Sequence, residues 1–390
     1  MRADLRGIAE RVALAAALAS TGYAAFALRR LALFERGARD RAEAPAPDGA
    51  RPTVTVLKPA HGDEPELEEN LASFCAQEYP YYEVVLGVLD PADPALAAIA
   101  RVARRFPGRV TVVVGDGVAR HRNPKIATLD PMIAHARGEV LVIADSDMRV
   151  TPRYLDAVLA PFEDPSVGAV TCVFRGEPAG GDLASALGAM AITEQFMPST
   201  LVANAIEPMT YCFGSTMAVR RRVFDAIGGL AALGEQLADD HTLGSLVVSN
   251  GDRIALASYV VANVVDERDA GALIAHELRW NRTIRSVRPA SYPGILFTYP
   301  LPLALTYLAL ARNKRNALVV TGIAAVLRVA VHRKAHAALG SQRVPSAGLI
   351  PLRDVLGVAL WCLGLFGGSV RWRGAAIDVA ADGRITSPTG

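Results

Sequence analysis

The apolar positions fall into three regimes along the chain. From Val12 to Leu28, VALAAALASTGYAAFAL carries no charge, and Arg29, Arg30 and Arg36 follow it. A secretory signal peptide fits, with Arg2, Arg6 and Arg11 as its basic end. An uncleaved anchor over residues 1–30 also fits, and the arginine pair directly after the run favours it, as a stop on the cytoplasmic side. Residues 31–52, rich in Ala, Pro, Arg and Asp towards their end, read as a linker.

The second regime alternates. TVTVLKP, YEVVLGVLD, RVTVVVGD and EVLVIAD are short β-branched runs. Between them lie ELEENLASFCAQ, ALAAIARVARRF and KIATLDPMIAHARG. The first has Leu67, Leu71 and Phe74 on one helical face, and the last ends at Gly138, a C-cap position. Strand, helix, strand at this spacing predicts an α/β, mostly parallel sheet with helices on both faces, and EVLVIA is continuously apolar as a doubly buried strand is. In open sheets of this kind, ligands sit at the carboxyl ends of the strands. Asp90, Asp93, Asp116, Asp145 and Asp147 all fall there.

The third regime is again apolar. Gly294 to Ala311, Ala317 to Val331 and Val355 to Val370 are each near or below the ~20 residues of a full span. RNKRN and HRKAH are both basic, yet they flank the same segment, so at least one of these stretches is not a simple crossing. The organisation expected is an anchor over 1–30, a linker to 52, a catalytic domain over 53–289, membrane and interfacial helices over 290–371, and a tail over 372–390. An apolar fraction of 51% and a mean hydropathy of +0.25 suit a globular domain joined to a few membrane segments. A net charge of +2 gives no reason to expect nucleic acid, and four scattered cysteines give neither a zinc motif nor a disulfide framework.

Four stretches carry candidate chemistry. In ADSDM, Asp145 and Asp147 project to one side of an extended strand, where two carboxylates can seat a divalent cation and a diphosphate. A strand-to-helix turn capped by Asp147 or Thr151 is the plainer alternative. In LADDHTLG, Asp240 is either a general base or an acid favouring a helix N-terminus. In HELRW, a helix places His276, Arg279 and Trp280 on one face, suited to a phosphate and a ring. Arg282, Arg285 and Arg288 further along suit lipid headgroups. Lys125 in RNPKIATL opens a helix where backbone N–H groups favour phosphate, unless it is a surface lysine. His61, His121 and His135 have no ligand-like spacing.

Taken in order, LKPAHGDEPELEENLASFCAQEYPYYEVVLGVLDPADP, NPKIATL, ADSDMRVTPRYL, GGLAALGEQLADDHTLG and HELRW resemble the ceramide-glucosyltransferase-type glycosyltransferases, whose relatives include bacterial hopanoid-biosynthesis glycosyltransferases. The likeness covers residues 52–289. It implies a Rossmann-like GT-A fold, a UDP-sugar donor, Mg²⁺ or Mn²⁺ on the DxD, and inversion at the anomeric carbon. Its first acid falls on Asp93, with Asp90 the near rival, against the nucleotide. Its second falls on Asp145 with Asp147, the latter a metal ligand, and its third on Asp240 as base. Its closing motif falls on His276, Arg279 and Trp280. That motif usually begins with Gln or Arg, so the role of position 276 departs from the pattern. The acceptor implied is a hydroxyl of a membrane lipid, ceramide or hopanoid, and the sugar glucose or N-acetylglucosamine, with the catalytic domain on the cytoplasmic side of an inner membrane. A processive polysaccharide synthase of the same superfamily and a catalytically dead nucleotide-sugar-binding protein are the alternatives.

Overall fold

A computed structural model describes residues 2–43, 51–367, 369–372, 375–380 and 383–389. Its centre is an eight-stranded sheet in the order β3-β2-β1-β4-β7-β6-β8-β5. The strands are β1 (Val54–Pro59), β2 (Tyr82–Val88), β3 (Val110–Val114), β4 (Val140–Ile143), β5 (Met148–Arg149), β6 (Val167–Pro178), β7 (Met217–Arg220) and β8 (Arg253–Val265). β1, β2, β3 and β4 pair in parallel, as expected from their spacing. Beyond β4 the sheet is mixed. β7 runs antiparallel to both β4 and β6, and β5 antiparallel to β8, while β6 and β8 pair in parallel. The α/β expectation holds, but parallel pairing dominates only one half.

The helices that flank this sheet follow the apolar faces read from the sequence. α1 covers Arg2–Glu43, α2 Leu67–Cys75, α3 Ala95–Arg105, α4 Pro124–Ile133 and α5 Tyr154–Leu159. Leu67, Leu71 and Phe74 of α2 are buried, as are Ile99 and Val102 of α3. Gly138 does not cap α4, which ends at Ile133; a Cβ there would stand 2.3 Å from the Thr55 backbone nitrogen, so the glycine admits close approach to β1.

The later helices are α6 (Leu183–Met190), α7 (Met197–Ile206), α8 (Arg221–Ala226), α9 (Asp239–Ser249), α10 (Ala270–Val287), α11 (Pro300–Leu310), α12 (Lys314–Leu339) and α13 (Ile350–Gly364). Between α6 and α7 the chain makes a π-helical turn, Ala191–Phe196.

Among the described residues, three helices are long and apolar enough to cross a membrane: residues 5–40, 314–339 and 347–364. A fourth candidate is bent by 79° between Tyr292–Thr298 and Pro300–Leu310. The expected linker differs from the structure, because α1 continues through residue 43 with Leu31 buried against the domain core; residues 44–50 lie outside the described residues. The span expected over Val355–Val370 ends at Gly364, and Ser369–Trp372 is a strand, β9. The expected tail contributes β10 (Ala375–Val379) and β11 (Ile385–Thr389) to a small antiparallel sheet with β9. α12 runs through HRKAH, and His332 and His336 are buried.

Candidate active site

The carboxyl end of β4 delivers ADSDM into a cleft closed by α9 and α10. Four buried apolar residues of β4 precede Asp145, so the acids arrive at a fixed depth. Asp145 Oδ1 accepts from Lys125 Nζ at 2.7 Å, and the same ammonium lies 3.2 Å from Asp239 Oδ2. Lys125 is therefore not a surface lysine. It is buried and joins the DxD to the DD pair. Burial works against its charge, but Asp145 and Asp239 outweigh that and hold its pKa above the ordinary lysine value. Asn123 places it, capping α4 by accepting from the Lys125 and Ile126 backbone N–H groups.

Asp147 lies deeper. Its Oδ2 accepts from Asn263 Nδ2 at 2.7 Å, while its buried Oδ1 has no hydrogen-bond partner among the described residues. Burial, with Asp145 and Glu64 adding to it, pushes the carboxyl up to about 7. Burial likewise draws the neighbouring Lys58 ammonium down to about 7, against the pull of Asp147 and Asp145. Lys58 donates to the Asp145 carbonyl oxygen and sits 4.0 Å from the centre of the Phe74 ring. A buried carboxylate oxygen without a partner beside a second acid is short of positive charge, which is what a divalent cation supplies. The residues present fit such an ion, with Asp147 and Asp145 as its holders.

Asp240 opens α9. Its Oδ2 accepts from the Gly214 N–H at 3.0 Å and its Oδ1 from the His241 N–H at 2.7 Å. Burial first, then the charge of Asp239, pushes its carboxyl up to about 7. The Gly214 carbonyl in turn accepts from the Asp145 N–H at 3.1 Å. A Cβ at Gly214 would stand 2.4 Å from Asp145 Oδ2, so the glycine leaves this carboxylate its present position against the backbone.

α10 supplies the remaining wall. Arg279 is close enough to Asp145, Glu267, Asp147 and Asp240 for each to act on its charge, although burial draws its pKa down. Trp280 packs edge-on against His276, centroids 4.8 Å apart, and against Phe196 of the π turn at 5.5 Å. His276 Nδ1 bonds Glu267, which gives this position an orienting partner. Arg282 and Arg285, expected at lipid headgroups, instead donate to the carbonyls of Leu365, Phe366 and Gly367 after α13. Arg288 pairs with Glu207.

The first acid lies at the end of β2. Asp93 is buried, with Oδ1 accepting from the Gly62 and Ala95 N–H groups and Oδ2 bonded to His61 at 2.7 Å. Asp90 is exposed and caps its own turn through the Ala92 N–H. The structure thus gathers Lys125, Asp145, Asp147, Asp240 and Arg279 into one cleft and leaves Asp93 and His61 on the neighbouring strand end. Lys58, Asn263 and Gly214 were not foreseen, and Asp239 was seen only as the neighbour of Asp240 in LADDHTLG. A lysine ending the buried run VTVLKP is the sequence signal that pointed to Lys58.

The profile of glycosyl transferase family 21 matches residues 12–385. The chain belongs to that family. Two curated relatives from Caenorhabditis elegans are similar to it: ceramide glucosyltransferase 1, 25% identical over 55% of this chain and 46% of its own, and ceramide glucosyltransferase 3, 22% identical over 65% and 54%. The chain spans about half the length of these relatives. Among solved structures, the mannosyltransferase PcManGT from Pyrobaculum calidifontis, in complex with GDP-Man and Mn2+, is similar at 22% identity over 90% of this chain and 99% of that one, with a TM-score of 0.49. Membership in family 21 places the DxD and DD acids described above in a family of sugar-transferring proteins.

Proposed function

We propose that this family 21 protein is a membrane-bound inverting glycosyltransferase, moving glucose or N-acetylglucosamine from a UDP-sugar to a hydroxyl of a membrane lipid of ceramide or hopanoid type. The observation that carries it is the convergence of Asp145, Asp147, Asp240 and Arg279 on one cleft at the strand ends. Direct displacement at the sugar needs a base for the attacking hydroxyl and neutralisation of the departing diphosphate. Asp240 is the base: both its oxygens are held by backbone N–H groups, and a pKa near neutrality suits proton removal. Arg279 is placed to meet the charge that develops on the leaving group. A divalent cation, Mg²⁺ or Mn²⁺, held by Asp147 and Asp145 adds neutralisation of the diphosphate when bound. Lys125 holds Asp145 in place, Trp280 and His276 wall the cleft, and Asp93, with Asp90 beside it, lies where the nucleotide would extend. The candidate spans bring the cleft to a bilayer, in this reading a bacterial inner membrane with the cleft on its cytoplasmic side.

Mass spectrometry of lipids from cells making the wild type and Asp240→Asn tests this. A hexosylated or N-acetylhexosaminylated lipid present only with the wild type is expected. Identical lipid profiles would remove the reading.

A further inference from the structure

A second group of ionisable side chains lies buried where α12 meets the π turn. Glu194 projects from that turn, and His332 and His336, four residues apart, present one face of α12 to it. His332 Nδ1 stands 2.8 Å and His336 Nε2 3.0 Å from the same oxygen, Glu194 Oε1. All three ligand atoms lie within 4.8 Å of one another, and all three residues are buried. We propose that Glu194, His332 and His336 form a second metal site, for a Zn²⁺-type ion, separate from the DxD.

Three observations carry this. The ligand set is two imidazoles and one carboxylate, which suits zinc rather than the oxygen-only preference of Mg²⁺. Ligand atoms about 2.0–2.1 Å from zinc stand roughly 3.3 Å apart in a tetrahedron, so the two carboxylate–imidazole distances of 2.8 and 3.0 Å need only a small expansion to admit the ion. The outer partners are already in place. His336 Nδ1 bonds Ser341 Oγ at 2.8 Å, which leaves Nε2 bare when Nδ1 carries the proton, and Arg328 holds the other Glu194 oxygen at 2.8 Å. Charge points the same way. Arg328 is shared between Glu194 and Asp354, so the guanidinium holds one Glu194 oxygen and leaves the other to the histidines. Water completes the coordination.

The ion would tie α12 to the turn whose Phe196 backs Trp280. The site stands whether or not the proposed acceptor is correct.

The test uses the full chain purified in detergent. Elemental analysis of Asp147→Asn, which lacks the DxD ligand, is expected to find about one zinc per chain. The double variant His332→Asn/His336→Asn is expected to lose it. Wild type stripped with a chelator and reloaded with Co²⁺ should show the visible bands of four-coordinate cobalt, a readout that needs no histidine variant. No zinc in Asp147→Asn, or a reloaded wild type without those bands, would overturn the proposal and leave a hydrogen-bonded histidine pair. So would zinc retained by a folded double variant.

Discussion

Two regions of this molecule concentrate charge, and they are built for different ends. Around the DxD, Asp145 is partly open, Asp147 keeps an orphaned oxygen, and burial pushes Asp147 and Asp240 far above the ordinary carboxylate range. Under α12, Arg328 bridges Glu194 and Asp354 in full burial, and Arg353 grips Glu277 with two bonds of 2.5 and 2.7 Å. The first region leaves electrostatic needs unmet at a cleft, as a site that binds and reacts does. The second meets most of its needs internally, and its carboxylates and guanidiniums join elements distant in sequence. Charge density alone does not mark an active site. What separates the two is access.

The largest effect that would sharpen this contrast is on turnover. Asp240→Asn is expected to lower sugar transfer by on the order of 10²- to 10⁴-fold while UDP-sugar binding survives. Retained turnover, read by release of labelled UDP, would remove Asp240 as base and blur the distinction. Breaking the second region should instead cost stability. Arg328→Met leaves Glu194 and Asp354 facing each other in the interior, and a loss of about 3–5 kcal/mol is expected in denaturant titration. A stable variant would mean that the cluster is not needed to hold α12.

The pH profile is the next test. A base must be deprotonated to act, and the Asp240 carboxyl is raised to about 7, so kcat/KM at saturating metal should rise with pH and level off above about 7. A flat profile from pH 5 to 8 would count against it. Smallest is Gly214→Ala. Its Cβ meets the movable end of Asp145 rather than rigid backbone, so a loss of about 1–3 kcal/mol, seen in the KM for donor with kcat nearly kept, is expected.

How much of this the sequence disclosed depends on how local the cause is. β1, β2 and β4 are buried runs and β3 a β-branched edge strand, cut by helices of regular spacing, so pattern alone predicts them. Asp145, Asp147 and Asp240 were visible because acids beside apolar runs demand a reason. The mixed half of the sheet was not, since β6 pairs with β8 across some 85 residues and no local signal sets that pairing. Lys125 was visible as a residue but not as the bridge between Asp145 and Asp239, which exists only once β4 and α9 meet. The histidines of α12 went unread for a different reason. HRKAH is basic in composition, and composition hid that its two imidazoles share a face and turn inward.

α1 has a mechanical consequence. Its 42 residues make a rod about 63 Å long, whereas the hydrocarbon of a bilayer takes about 30 Å. The surplus is not slack: Leu31 is sunk in the core and Lys334 of α12 grips Glu35. If its apolar half spans a bilayer as proposed, such a rod, held at its other end against the sheet, would act as a ruler. It would set the height at which the cleft stands above the bilayer surface, and so the depth from which a hydroxyl must rise to be reached.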